Sequence, residues 1–332
     1  TLAALEGSGI ACPPLEDYAW RLWDYWERHL DPDLTIDRSL RGAVRGKVVV
    51  VTGGSAGIGE AAAIRIAEAG GKVVVVARDE EKLAEVRKKI QDAGGFAKTY
   101  SCDITDLAAN DKLAKDILKE FGHVDVLINN AGRSIRRSLA LSYDRFHDFE
   151  RTMQLNYFAC VRLTMNLLPS MTARKSGHVI NVSSIGVLTN APRFSAYVAS
   201  KAALESFARC AASEFHDEGV HFTIINMPLV RTPMIAPTKI YEEMPTVISP
   251  EEAADMIADA IIRRPQRIAT QLDVMAEIMH LLMPKLSEVV MNSAYRMFPD
   301  SSAAQGKKDG GDQRPATREA MIFASLMRGV HW

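Results

Sequence analysis

Thr52-Gly53-Gly54-Ser55-Ala56-Gly57-Ile58-Gly59 is the stretch whose reading decides the fold. A short apolar, β-branched run at 47–51 precedes it, and an amphipathic pattern at 59–68 follows it. Glycines between a strand and a helix let the backbone turn sharply and come close to a bound pyrophosphate. The helix N-terminus then offers free N–H groups and the positive end of its dipole to the anion. The spacing is G-x-x-x-G-x-G rather than G-x-G-x-x-G, and a turn needed only for packing also uses glycine. The strand before it and the helix after it favour the phosphate-binding reading.

Outward from this turn the same alternation continues to about residue 231. Apolar runs at 47–51, 72–77, 96–101, 124–129, 178–183 and 221–226 read as strands buried on both faces. Amphipathic stretches at 59–68, 80–92 and 107–120 lie between them. Strand and helix in alternation predict an α/β fold, a doubly wound parallel sheet of Rossmann type covered on both sides. The flanks predict helical extensions. Residues 1–44 form an N-terminal helical extension or interdomain linker, with Trp20, Trp23 and Trp26 forming a row that should pack rather than dangle. The α/β domain takes 45–270. Residues 250–299 read as helical, opened by Ser249 as a cap and Pro250 in the first turn, with a Met-rich region at 271–299. A polar, Gly-rich flexible linker at 300–316 and a C-terminal helix at 317–332 complete the chain.

The 332 residues are 47% apolar and 24% charged, enough for a sizeable core, and exclude a disordered or fibrous chain. Lys and Arg number 40 against 41 Asp and Glu, so no electrostatic footprint for nucleic acid is present. The four cysteines, at 12, 102, 160 and 210, have neither disulfide-framework nor metal-site spacing, and no metal is expected. A reduced, cytoplasmic setting follows, and no apolar run reaches the ~20 residues of a membrane-spanning helix. The chain does not begin with Met, which points to a piece of a longer polypeptide.

Two constellations carry chemistry. The second strand ends in Arg78-Asp79. Arg78 is placed to fork onto a 2′-phosphate, whereas Asp79 becomes a ribose ligand if the strand ends one residue later. Tyr197 and Lys201 stand four apart on one helix face. An ammonium near the phenol favours the phenolate and lowers the Tyr197 pKa, which suits a proton donor to a carbonyl under reduction. Thirteen residues upstream, Ser184 follows a strand and supplies a hydroxyl for the carbonyl oxygen; its neighbour Ser183 is the less well spaced candidate. Cys160 reads as a small buried thiol.

Together the glycine turn, Asn129-Asn130-Ala131-Gly132, Asn156, Ser184 and Tyr197-x-x-x-Lys201 resemble the short-chain dehydrogenase/reductase family across roughly residues 45–235. The resemblance implies a catalytic set of Asn156, Ser184, Tyr197 and Lys201. Lys201 binds the nicotinamide ribose, and Asn156 anchors a water that links Lys201 to solvent. It implies NADPH as cofactor, held by Gly53, Ser55, Gly57, Ile58, Gly59, Arg78, Asp103, Ile104, Asn130, Ala131, Gly132, Pro228, Val230 and Thr232 as well as by Tyr197 and Lys201. Asp103 bonds the adenine and Thr232 meets the carboxamide. Leu229 stands where the family has Gly, which alters the nicotinamide end.

Two further features bear on substrate. Met275, Met279, Met283, Met291 and Met297 suit either the lining of an alkyl channel or an ordinary core helix. Arg133, Arg136 and Arg137, with Arg263, Arg264 and Arg267, suit the phosphates of coenzyme A, anionic lipid headgroups or plain surface charge. The segments from Trp23 to Leu34 and Asp37 to Gly42, with the closing Gly329-Val-His-Trp, resemble bacterial fatty acyl-CoA reductases that carry two reductase domains. That resemblance implies NADPH-dependent reduction of a long-chain acyl-CoA thioester to the aldehyde and an upstream reductase domain in the same chain; a homo-oligomer and peripheral membrane contact are further expectations. A reductase of simple aldehydes or ketones, and a non-catalytic NADP-binding module, are the alternative expectations.

Overall fold

In the computed structural model, residues 14–29, 37–235, 247–297, 300 and 304 are described. Seven parallel strands run β1 Val48–Thr52, β2 Lys72–Ala77, β3 Phe96–Ser101, β4 Val126–Asn129, β5 Gly177–Val182, β6 Val220–Ile225 and β7 Arg267–Ile268. Their order is β3-β2-β1-β4-β5-β6-β7. The direction of winding therefore reverses between β1 and β4, and the crevice at their carboxyl ends is where such sheets bind ligands.

Alternate strand residues feed two cores. Val49, Val51, Val73 and Ile128 pack under α3 (Gly57–Glu68), α4 (Glu80–Asp92) and α10 (Pro250–Arg263). Val50, Val74, Leu127 and Val179 pack under α5 (Leu107–Phe121) and α7 (Cys160–Ala173). Every residue of β1, β4 and β5 is buried, which is why these strands read as unbroken apolar runs rather than as alternation. The remaining helices are α1 (Leu15–His29), α2 (Leu40–Val44), α6 (Phe146–Met153), α8 (Ile185–Thr189), α9 (Ser195–Glu214), α11 (Gln271–Leu282) and α12 (Pro284–Met297).

The flanks differ from expectation in three places. Residues 250–299 are not one helical run: the two-residue β7 interrupts them, and α11 gives way to α12 at Met283-Pro284, where proline cannot continue the hydrogen-bonding of the preceding helix. The capping of α10 is as expected, with Glu252 N donating to Ser249 Oγ at 3.1 Å and Ser249 N donating to Glu252 Oε2 at 2.7 Å. Second, Trp20, Trp23 and Trp26 do lie on a helix, but the rings remain 62%, 62% and 41% exposed; α1 does not bury them against the sheet domain. Third, the methionines of α11 and α12 are not core residues; Met275, Ile278, Leu281, Leu282 and Val289 form an exposed apolar face. The expected linker at 300–316 and helix at 317–332 lie outside the described residues, apart from Asp300 and Ala304. No helix among the described residues is long and apolar enough to cross a membrane.

Candidate active site

The glycine turn leaves β1 at the switch point and enters α3. Gly57 has φ +58°, and a Cβ there would meet Thr232 Cγ2 at 2.9 Å. Gly59 is buried against the turn itself, since a Cβ would lie 2.3 Å from Gly53 O. Thr52 and Asn130 hold the turn in shape. Thr52 Oγ1 accepts from the Asn130 and Ala131 amides, each at 3.1 Å, and Asn130 Nδ2 donates to Thr52 O at 3.0 Å and Gly53 O at 3.2 Å. Ala56, at the N-cap of α3, offers no side-chain hydrogen bond to the first turn. An anion can take the place of that cap, so the turn fits the pyrophosphate of a dinucleotide.

At the end of β2, Arg78 and Asp79 are placed differently. Asp79 caps α4, accepting from Lys82 N at 3.1 Å, and that bond with the nearby Lys82 charge holds its carboxyl below the usual range. Arg78 extends instead toward Asp103, with Nη1 3.9 Å from Oδ2, and is 67% exposed. Asp103 also accepts from Thr105 N at 3.0 Å and Thr105 Oγ1 at 2.7 Å. A basic and an acidic group thus stand side by side where the adenosine half of a dinucleotide would lie. Ile104 and Val230 send their side chains into the core, so neither side chain faces the crevice. Ser55 and Ile58 sit half-buried on the turn.

The four catalytic candidates converge from three places, the junction of β5 with α8, the turn before α7, and α9. Ser184 ends β5 and caps α8, its Oγ accepting from Gly186 N at 3.1 Å. The hydroxyl also meets the Tyr197 phenol. Burial pushes that phenol above its ordinary pKa, and the Ser184 hydrogen bond counters part of the rise. Lys201 is 3% exposed and donates from Nζ to Val182 O at 2.7 Å. Burial pushes its ammonium down, while Cys160 and Glu205 hold it up. The expected acidification of Tyr197 by Lys201 has no counterpart in this geometry: the ammonium donates to a β5 carbonyl, and burial sets the direction of the phenol's shift. The upward direction of that shift favours the protonated phenol, the form a proton donor needs.

Asn156 lies in a π-helical turn, Gln154–Ala159, that joins α6 to α7. The extra residue in such a turn re-aims its side chains. Asn156 Oδ1 accepts from Arg133 N at 2.8 Å, and Nδ2 donates to Arg133 O and to Ser200 Oγ, both at 2.9 Å. Ser200 Oγ in turn donates to Tyr197 O at 2.7 Å. Asn156 thus braces the loop after β4 against α9. Gly132 lies between them; a Cβ there would come within 3.4 Å of both Asn156 Oδ1 and Lys201 Nζ. Ser183 is excluded as the catalytic serine because its Oγ donates to buried Glu205 Oε1 at 2.5 Å. Cys160 is fully buried, and desolvation pushes its thiol up to about 11, too high for a nucleophile near neutrality.

Sequence reasoning missed Ser200 and Glu205. Both stand on the same face of α9 as Lys201 and Tyr197, so helical spacing from the Tyr-Lys pair was the available signal. Among the described residues no cluster of metal ligands occurs.

The short chain dehydrogenase family matches residues 47–242. A fatty acyl-CoA reductase of Acinetobacter baylyi is 52% identical over 297 residues, covering 90% of this chain and 99% of its own length. A fatty acyl-CoA reductase of Mycobacterium tuberculosis is 44% identical over 265 residues, covering 79% of this chain and 90% of its own. A crystal structure of a metagenomic short-chain oxidoreductase in complex with NADP is 30% identical, with a TM-score of 0.59 over 68% of this chain and 97% of the other.

Proposed function

Because this chain belongs to the short-chain dehydrogenase family of oxidoreductases, we propose that it reduces long-chain fatty acyl-CoA thioesters to fatty aldehydes with NADPH. The observation that carries this reading is the likeness to fatty acyl-CoA reductases. It covers 90% and 79% of this chain, more than the residues 47–242 that the family itself matches.

The glycine turn and Arg78 would hold NADPH, which when bound would supply the hydride. The chain's own groups do the rest. The thioester carbonyl oxygen is received by the Ser184 hydroxyl and the Tyr197 phenol, which stabilise the charge that develops on it. Tyr197 gives its phenol proton to that oxygen. The resulting hemithioacetal breaks its C–S bond: its hydroxyl proton leaves, the aldehyde carbonyl forms, and the CoA sulfur departs as thiolate and is protonated. No cysteine takes part. Lys201 and Asn156 hold α9 and the loop after β4 at fixed separation, so the phenol does not drift from the substrate oxygen.

The test is to offer palmitoyl-CoA and hexadecanal separately with NADPH, follow NADPH oxidation and identify products by mass spectrometry. Formation of hexadecanal from palmitoyl-CoA is expected. Activity on the aldehyde alone would assign the site to simple carbonyl reduction, and no turnover with tight NADPH binding would leave a binding module.

A further inference from the structure

The loop after β4 and the helix α6 that follows it carry a cluster of arginines that the catalytic chemistry does not use. Asp148, 2% exposed at the start of α6, is their hub. Arg145 Nε donates to its Oδ2 at 3.0 Å, Arg151 Nη2 pairs with its Oδ1, and Arg137 Nε stands 3.9 Å from Oδ2. Three guanidiniums facing one carboxylate leave positive charge over. Arg137 Nε is buried and has no hydrogen-bond acceptor among the described residues, and Asp148 Oδ1, which also faces His147 Nε2 at 3.4 Å, lacks a hydrogen-bond donor of good geometry; the unmatched donor is costly unless something else supplies an acceptor. Arg133 extends the cluster toward the cofactor crevice, where its guanidinium is disfavoured by burial and by the like charges of Arg151 and Arg78.

The backbone carrying these arginines runs along the catalytic cleft. Asn156 grips Arg133 at both its N–H and its carbonyl, and Arg137 N donates to Arg193 O at 2.8 Å, four residues before Tyr197. The cluster therefore lies on the rim between the reacting centre and the surface, beside but distinct from the Arg78–Asp103 pair.

We propose that Arg137 and Arg151, gathered on Asp148, bind the phosphates of the 3′-phosphoadenosine diphosphate end of coenzyme A. The choice of occupant rests on the acyl-CoA reading above; the site itself rests on the surplus guanidiniums and the unmatched Arg137 donor. Arginine suits the task because its planar fork matches two phosphate oxygens at once. A thioester bound this way is anchored at its polar end while its carbonyl reaches Tyr197.

The experiment titrates NADPH-loaded protein with adenosine 3′,5′-bisphosphate by calorimetry at low salt, so that the cofactor's own phosphate site is filled. Saturable binding is expected, weakened at least ~10-fold in Arg151→Gln and in Arg137→Gln, with NADPH affinity unchanged in both. Arg151 is 46% exposed, so its substitution leaves a folded protein even if that of Arg137 does not. In turnover, Arg151→Gln should raise KM for palmitoyl-CoA by ~10-fold and leave KM for palmitoyl-pantetheine, which lacks the bisphosphate, where it was. No binding to the NADPH-loaded protein, or equal binding by wild type and variants, overturns the proposal. So does binding that merely competes with NADPH. Arginine-dependent binding to phosphatidylglycerol vesicles without bisphosphate binding assigns the cluster to a lipid surface and also overturns it. If palmitoyl-CoA is not reduced but the bisphosphate binds and depends on these arginines, the thioester function falls and the site stands.

Discussion

The Arg193 guanidinium and the Asp300 carboxylate meet at 2.9 Å across 107 residues of sequence, with side chains only 5% and 13% exposed. Arg193 also donates from Nη1 to Tyr295 O at 3.0 Å and lies 3.9 Å over the Tyr295 ring. Asp300 accepts in addition from Ser138 N at 3.1 Å. The pair thus fastens three segments together: the loop after β4, the loop that leads into Tyr197, and the end of α12. Arg193 does this with φ +72°, a conformation that costs a non-glycine residue ~1 kcal/mol and persists only where surrounding contacts impose it.

Asp300→Ala leaves a buried guanidinium without its counter-ion. A loss of about 3 kcal/mol in urea unfolding is expected, the scale for breaking a buried pair, with kcat falling and NADPH affinity kept. The double variant Arg193→Met/Asp300→Ala should recover part of the stability, since no charge is then stranded. Equal kcat in Asp300→Ala and wild type would show that the latch does not position the loop before Tyr197.

Cofactor choice rests on Arg78. Its guanidinium is mostly exposed and not hydrogen-bonded to Asp103 at 3.9 Å, so it is available for a phosphate fork. Arg78→Ala should weaken NADPH by about 2 kcal/mol, the scale of a charge-assisted hydrogen bond, or ~30-fold in Kd. NADH should be almost unaffected. Parallel losses for both cofactors would remove Arg78 as the selector.

Tyr197→Phe keeps the ring that meets Phe194 but removes the proton donor. Turnover should fall by at least ~10²-fold, the lower scale of general-acid catalysis, while NADPH binding persists. Lys201→Ala removes the donor to Val182 O and a cofactor contact implied by the family, so both rate and NADPH affinity should fall. A near-normal rate in Tyr197→Phe, measured by NADPH oxidation, would reject the mechanism.

Much of this was legible in the sequence because parallel strands buried on both faces need uninterrupted Val and Ile, and Val48–Thr52 or Lys72–Ala77 supply them. The glycine turn was legible because Gly57 must adopt positive φ beside Thr232, a demand few other residues meet. The choice of Ser184 over Ser183 followed from spacing to Tyr197 and agrees with the Ser183–Glu205 bond. What was hidden depended on partners far away in the chain. β7 has two residues and no periodicity to read. The direction taken by Lys201 is set by a carbonyl on β5, and Asp148 gathers arginines both before and after it. Composition marked the methionines of α11 and α12 as apolar, yet only the fold shows that their apolar face looks outward.

His178 gives the chain an acid-sensitive joint. It is 2% exposed between β5 and β6, with Nε2 2.9 Å from Thr223 Oγ1. Burial pushes its pKa down to about 3, and the charges of Arg264, His221 and Lys47 push the same way. An unfolded histidine titrates near ~6.5. Above that pH both states are neutral, and His178 contributes its full stability. As pH falls below ~6.5 the unfolded chain takes up a proton that the folded one refuses, so stability is lost progressively until about 3, where the folded ring also titrates. The slope reaches at most ~1.4 kcal/mol per pH unit. His221, opposite His178 in the register of β5 and β6 and also shifted down, adds a loss of the same sign, as do the salt-bridged carboxylates at lower pH. A comparison with His178→Gln separates them, since glutamine keeps a group facing Thr223 and cannot titrate. The advantage of wild type over His178→Gln in urea unfolding should shrink by about 2 kcal/mol between pH 7 and pH 5. An advantage that stays constant over that range would mean that the buried ring accepts its proton as readily as the unfolded one, and the depressed pKa would be wrong.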